Sequence, residues 1–125
     1  MKYHQLNDIL LQEFPNLSSH IDEEYSFYGS QKPGPHTLYS SVLSPFVEEL
    51  LHEGNQREAE IRKVFAFYEK LALCEDADVQ DLLQVTLLEA LWDNRRLYDC
   101  AREYMLPKTR EINERIYEYM NIPEY

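Results

Sequence analysis

The chain has 125 residues, of which 44% are hydrophobic and 28% are charged, and it contains only three glycines. This composition is that of one globular domain, residues 1–125, and it excludes the disordered and low-complexity classes. The formal net charge of −11 repels nucleic acid and anionic membrane surfaces, so we expect neither as a partner.

The first predicted element is a short amphipathic helix that buries Leu6 and Leu10 and stops at Pro15, because the residue before a proline avoids the α region. This stretch lacks the apolar core of a signal peptide, and no run in the chain reaches the ~18 apolar residues of a membrane span. We therefore expect a cytoplasmic protein in which Cys74 and Cys100 are reduced thiols.

Residues 15–36 show no sustained period and end in a Pro-Gly-Pro break, which predicts a long acidic and aromatic loop. Long loops inside compact domains are often functional. Acids beside aromatic rings are typical of protein-recognition surfaces, in which the acids steer a basic partner and the rings anchor it. The predicted partner-binding residues are Asp22, Glu23, Glu24, Tyr25, Phe27 and Tyr28. In the alternative interpretation, the rings fold back onto the helices and the acids only solvate the loop.

A helical pattern resumes after this loop, and the pair Ser44 and Pro45 within it indicates either a fresh helix start or a kink. Gly54 is predicted to end this helix. Asn55 followed by Glu58 resembles a capping box, which predicts that the next helix starts at about residue 56.

The segment DVQDLLQVTLLEALWD, at about residues 78–93, is the predicted central helix, with Asp78 as its N-cap. Its apolar positions form two stripes: Val79, Leu82, Leu83, Thr86, Leu87, Ala90 and Leu91 on one side, and Val85, Leu88 and Trp92 on the other. A helix that is apolar on most of its circumference must be surrounded by others. The sequence therefore predicts an all-α fold, a single-domain bundle of about five to six antiparallel helices around this buried helix.

Two further helices are predicted after a turn near Asp93, and Pro107 fits the first turn of the second, where its missing N–H costs nothing. The predicted buried face of this last helix comprises Ile112, Ile116, Tyr119 and Met120.

Glu89 falls between the two apolar stripes of the central helix, where its carboxylate is at risk of burial. A buried carboxylate must be paired or protonated. The functional interpretation is a catalytic acid or a metal ligand, and the structural one is a carboxylate held by an arginine, a tyrosine hydroxyl or a helix N-terminus. We favour the structural interpretation, because no second catalytic group is visible beside it.

Glu49 and His52 form a single ExxH motif, the spacing used in di-iron bundles, but such sites need two of these motifs and two further glutamates. The sequence also lacks the HExxH, GxSxG, GxGxxG and P-loop patterns. We therefore expect no metal site, no cofactor and no catalytic residue, which argues against an enzyme.

The segment from about residue 61 to 120 contains FAFYEKL, a short acidic link, VQDLLQVTLLEALWD, and two tyrosine-rich helices split by LPKT. This pattern resembles a bacterial all-helical domain family of unknown function whose members are similar to immunity proteins of polymorphic toxin systems. The resemblance implies a helical fold and a protein partner, and it implies no catalytic residue.

Charge, absent catalytic motifs and the acidic aromatic segment together favour a protein-binding inhibitor. The most specific hypothesis is an immunity-type protein that neutralises a cognate toxin by covering its basic active surface. One alternative is a nucleic-acid mimic or anti-restriction inhibitor, and another is a metal-binding helical-bundle enzyme built on Glu49, His52 and Glu89.

Overall fold

The computed structural model of the chain describes residues 1–120, with side chains through residue 118. Within these residues the fold is all-α, and six of its α-helices have eight residues or more, which confirms the predicted helical bundle. No helix in the described part is long and apolar enough to cross a membrane. The α-helices are α1 Leu6–Glu13, α2 Ser18–Tyr28, α3 Pro35–Leu38, α4 Ser44–Glu53, α5 Glu58–Ala72, α6 Ala77–Asp81, α7 Arg95–Tyr104 and α8 Pro107–Met120.

The prediction of a long loop over residues 15–36 is wrong. Pro15 does end α1, but Pro15–Leu17 forms a 3-10 turn that leads directly into α2. Ile21 of this helix and Leu17, the residue just before it, are both buried in the core. Gly29 ends α2 with φ 63° and ψ −126°, a conformation that side chains with a Cβ rarely adopt.

The helical run from Pro35 to Glu53 is continuous, so Ser44 and Pro45 do not start a separate helix. The five residues Tyr39–Leu43 form a π-helical segment, here called π1, and the Ser44 N–H donates to the Tyr39 carbonyl. This wider turn lies just before Pro45, whose nitrogen has no hydrogen to donate. Gly54 ends α4 with φ 61°, as predicted.

The predicted capping box is absent. Residues Gly54–Arg57 form a 3-10 turn, and α5 begins at Glu58 with Arg57 as its N-cap and no side-chain cap. The Arg57 guanidinium instead binds the carboxylates of Glu53 and Glu60. Helix α5 packs against α4, α7, α8 and the central helix.

The predicted central helix is present, but only its first part, α6, is α-helical. After α6, residues Leu82–Leu88 form a second π-helical segment, here called π2, and Glu89–Leu91 form a 3-10 turn. Its N-cap is Asp76, whose carboxylate accepts the Asp78 N–H at 2.9 Å, so the prediction of Asp78 as the cap is off by two residues. The side chains buried along it are Val79, Leu82, Leu83, Leu87, Leu88 and Leu91.

The second predicted stripe of the central helix is only partly buried. Leu88 is buried and Trp92 is half-buried, whereas Val85 is 52% exposed. In π2 the Glu89 N–H donates to the Gln84 carbonyl, five residues earlier. This spacing differs from the four-residue spacing of an α-helix, so a wheel drawn at 100° per residue misplaces side chains here.

The last two helices close one end of the core around a buried amide. Pro107 is the first residue of α8, as predicted, and Ile112 of the same helix is buried. The fully buried Asn113 accepts a hydrogen bond from Trp92 Nε1 at 3.2 Å and donates to the Tyr98 hydroxyl at 2.9 Å. The predicted burial of the Tyr119 and Met120 side chains lies outside the described residues.

Candidate functional site

Helix α2 carries the residues that sequence analysis selected for partner binding, and it presents them on two different faces. Asp22, Glu23 and Phe27 are exposed, with Phe27 the most exposed large apolar side chain in the described chain at 83%. Glu23 and Phe27 are four residues apart on a helix, so they are neighbours on its outer face. Tyr28 is 39% exposed beside them.

Glu24 and Tyr25 instead lie on the inner side of α2 and are half-buried. The Asn7 amide donates to the Tyr25 hydroxyl at 3.2 Å and to the Pro33 carbonyl at 2.9 Å. These two hydrogen bonds hold the end of α2, and the chain that follows it, against α1. The alternative in which rings fold back onto the helices therefore describes Tyr25.

The two rings at the end of α2 contact each other. Phe27 and Tyr28 meet edge to face, with centroids 5.4 Å apart and an interplanar angle of 74°. This is a favoured aromatic geometry, and it leaves the Phe27 face free. We call Asp22, Glu23, Phe27 and Tyr28 the α2 surface.

A small cleft lies beside the start of α2, where this helix meets π1 and α4. It has a volume of about 140 Å³, and its floor contains the buried side chains of Leu17 and Val42. Half-buried Phe46 and exposed Glu49 stand on its α4 side, and exposed His20 stands on its α2 side. We call this depression the α2–α4 cleft; its lining residues are Leu17, His20, Ser41, Val42, Pro45, Phe46 and Glu49.

The acids around these features form no ion pair with a lysine or arginine in the described part of the chain. Among the residues that the structure describes, the ion pairs of Arg and Lys with acids are Glu13–Lys70, Glu53–Arg57, Glu60–Arg57, Glu58–Arg62, Asp99–Arg95, Glu114–Arg102 and Glu111–Lys108. Asp22 and Glu23 on α2, and Glu48 and Glu49 on α4, belong to none of them. The α2 surface and the cleft beside it thus share an uncompensated acidic environment.

Glu89, predicted at risk of burial, is only partly buried. The five-residue spacing of π2 displaces it from the position that the α-helical wheel assigns. The carboxylate that is held at a helix N-terminus is Glu69 of α5. It accepts hydrogen bonds from the Lys108 N–H at 3.0 Å, the Thr109 N–H at 2.8 Å and the Thr109 hydroxyl at 2.8 Å. Partial burial raises the pKa of Glu69, but these hydrogen bonds outweigh it, so the pKa lies below its ordinary value.

A histidine contact that sequence reasoning missed links α3 to π2. His36 Nδ1 lies 2.5 Å from the Thr86 hydroxyl, and His36 Nε2 lies 3.6 Å from the Asp81 carboxylate. The Ser44 hydroxyl donates to the Thr86 carbonyl at 3.4 Å. The sequence pattern places Thr86 in an apolar stripe and His36 in a loop, and nothing local in the sequence connects the two residues.

The ExxH pair lies on α4, where both Glu49 and His52 are exposed. Over residues 1–120, no group of three His, Cys, Asp or Glu side chains is placed to hold a metal ion. Cys74 and Cys100 are free thiols and are both partly exposed.

Comparison with known proteins gives a family without an assigned activity. A family model described as "Domain of unknown function (DUF7674)" matches residues 7–121. No curated protein and no solved structure matches the chain.

Proposed function

Since the chain belongs to this family of domains of unknown function, we propose from its geometry that it is a protein-binding protein that recognises a basic partner through the α2 surface. It acts by binding rather than by catalysis. The observation that carries the proposal is the 83% exposure of Phe27 one helical turn from Glu23, an acid that forms no ion pair within the described residues.

The energetic argument rests on what Phe27 gains from a partner. Burying a phenylalanine side chain is worth roughly 1.5–3 kcal/mol, and hot spots at protein interfaces are large side chains in fully desolvated pockets. Asp22 and Glu23 lie on the same helix and have no cationic neighbour in an ion pair within the described chain. Such acids accelerate association with a basic protein and disfavour acidic ones.

More specifically, we propose an immunity-type inhibitor that covers the basic active surface of a cognate toxin. The net charge of −11 supports a cationic partner, as does the resemblance of residues 61–120 to immunity-protein-like helical domains. We place this interaction in the cytoplasm, where free thiols such as Cys74 and Cys100 persist.

The test is co-expression of the chain with the product of the gene adjacent to its own. We expect a stoichiometric complex, loss of that product's toxicity, and a Kd about 30-fold higher for Phe27→Ala, equivalent to about 2 kcal/mol. Leu73→Ala is the matched control, because Leu73 is another apolar side chain that is 64% exposed, on a different part of the fold.

Two results would contradict the proposal. One is an adjacent gene product that neither binds the chain nor loses its toxicity in its presence. The other is a complex that Phe27→Ala and Leu73→Ala weaken equally, since the α2 surface would then have no special part in it.

A further inference from the structure

The α2–α4 cleft combines features that suit one kind of side chain. Its floor of Leu17 and Val42 is buried and apolar, whereas Glu49 at its α4 side carries an exposed carboxylate. A partner group that fills it needs an apolar stem for the floor and a positive head for the carboxylate. Among the natural side chains, arginine and lysine have this form.

Phe46 distinguishes between these two. Its ring is half-buried and forms part of the cleft wall, and it meets the Phe14 ring at a centroid distance of 6.3 Å and an interplanar angle of 65°. A planar guanidinium stacks on an aromatic ring and binds a carboxylate with two parallel hydrogen bonds, and it is more weakly hydrated than an ammonium.

The size and placement of the cleft agree with a single side chain. Its volume of about 140 Å³ is far below the ~300 Å³ at which small-molecule pockets begin. It opens beside the first turn of α2, whose later residues form the α2 surface. None of the chain's own Lys or Arg side chains in the described part forms an ion pair with Glu49.

We propose that the α2–α4 cleft receives one arginine side chain of the basic partner, with its stem on Leu17 and Val42, its guanidinium beside Phe46, and its charge on Glu49. This inference rests on the proposed function and names the chemistry that the partner must present. It makes Glu49, rather than the other acids nearby, the residue that binds the positive head, and Phe46 the residue that favours arginine over lysine.

The experiment uses the full chain labelled with ¹⁵N and three short probe peptides, acetyl-Gly-Gly-X-Gly-Gly-amide, in which X is arginine, lysine or citrulline. Citrulline has nearly the shape of arginine without its charge, and lysine has the charge without the planar head. We expect the arginine peptide to shift the amide signals of residues around the cleft, the lysine peptide to bind more weakly, and the citrulline peptide not to bind measurably.

Glu49→Gln should raise the Kd of the arginine peptide about fivefold, equivalent to about 1 kcal/mol. Glu48→Gln is the matched control: it makes the same change of charge one position away, on the same helix, at an exposed residue outside the cleft. An unchanged Kd for Glu48→Gln separates contact within the cleft from general electrostatic attraction.

Other results would overturn the inference in recognisable ways. If the arginine peptide shifts signals around Phe27 instead, or if both glutamate variants weaken it equally, the cleft is not an arginine site. If no peptide binds while the complex with the adjacent gene product still depends on Phe27, the cleft proposal fails and the proposed function stands. If that complex is absent as well, both fail.

Discussion

Replacing Glu69 tests whether its hydrogen bonds to the start of α8 stabilise the contact between α5 and α8. The Glu69 carboxylate covers the first two N–H groups that α8 can offer, those of Lys108 and Thr109, since Pro107 has none. Loss of an N-cap side chain costs about 0.5–2 kcal/mol, and hydrogen bonds to a charged group are worth about 1.5–3 kcal/mol each. Because Glu69 is only half-buried, water replaces part of what is lost.

We therefore expect Glu69→Ala to lower the free energy of unfolding by about 2–3 kcal/mol, and the melting temperature by roughly 10 °C for a domain of this size. Glu69→Gln keeps an acceptor oxygen but loses the charge, so we expect it to lower the free energy of unfolding by about 1 kcal/mol. Urea denaturation followed by circular dichroism measures both. Glu103→Ala is the control, because Glu103 is an exposed glutamate within α7.

The hydrogen bonds to the Glu69 carboxylate also predict that the free energy of unfolding depends on pH. The pKa of Glu69 is lower in the folded chain than in the unfolded chain, where it is about 4.3. The carboxylate therefore stabilises the fold fully above the unfolded pKa. This stabilisation is lost as the pH falls through the folded pKa. The stability difference between the native chain and Glu69→Gln should be constant from pH 7 to about pH 5 and shrink below it. A difference that does not change with pH, or a Glu69→Ala variant as stable as Glu103→Ala, would refute this account of the helix junction.

Two further predictions concern the backbone and the core. Gly54→Ala should lower the free energy of unfolding by about 1–3 kcal/mol, because φ is 61° at this residue. Gly34→Ala is the control: its φ is −71°, so the same denaturation assay should show almost no change. At both glycines no atom lies within 4 Å of an added Cβ, so the backbone conformation is the difference between them. Asn113→Ala should cost about 3 kcal/mol, since it leaves Trp92 Nε1 and the Tyr98 hydroxyl without their buried partner. It should also change the fluorescence of Trp92, the only tryptophan, and a variant with native stability and an unchanged spectrum would show that the amide is not needed.

Sequence reasoning succeeded where apolar residues follow one period over several turns. Helix α5 buries Ile61, Val64, Phe65, Tyr68 and Leu71 with the i, i+3, i+4 spacing that the sequence displays. Helix α2 was missed because its buried face has only Leu17, Ile21 and the half-buried Tyr25, whereas Phe27 adds an apolar residue on the wrong side. Packing of these few side chains against the rest of the fold, rather than intrinsic helix propensity, stabilises such a helix.

The π-helical segment π2 explains the errors at Val85 and Glu89. A wheel drawn at 100° per residue assumes four-residue hydrogen bonding, and π2 replaces it with a five-residue bond from the Glu89 N–H to Gln84. Val85 therefore reaches solvent, and Glu89 is less buried than predicted. The contact between His36 and Thr86 spans 50 residues, a separation at which no local pattern carries information.

Finding a helix where a loop was predicted alters the physical argument for binding. In a loop, acids and rings would have to be ordered when the partner binds, at a cost of about 0.5–1.5 kcal/mol for each flexible side chain and more for the backbone. In α2 that backbone is already fixed, by Ile21 in the core and by the Asn7 hydrogen bond to Tyr25. The i, i+4 spacing then places Glu23 beside Phe27 before any partner arrives, so steering charge and apolar anchor act from one rigid face. This pre-organisation is why we expect Phe27→Ala to weaken binding chiefly through faster dissociation, and a charge change at Glu23 chiefly through slower association.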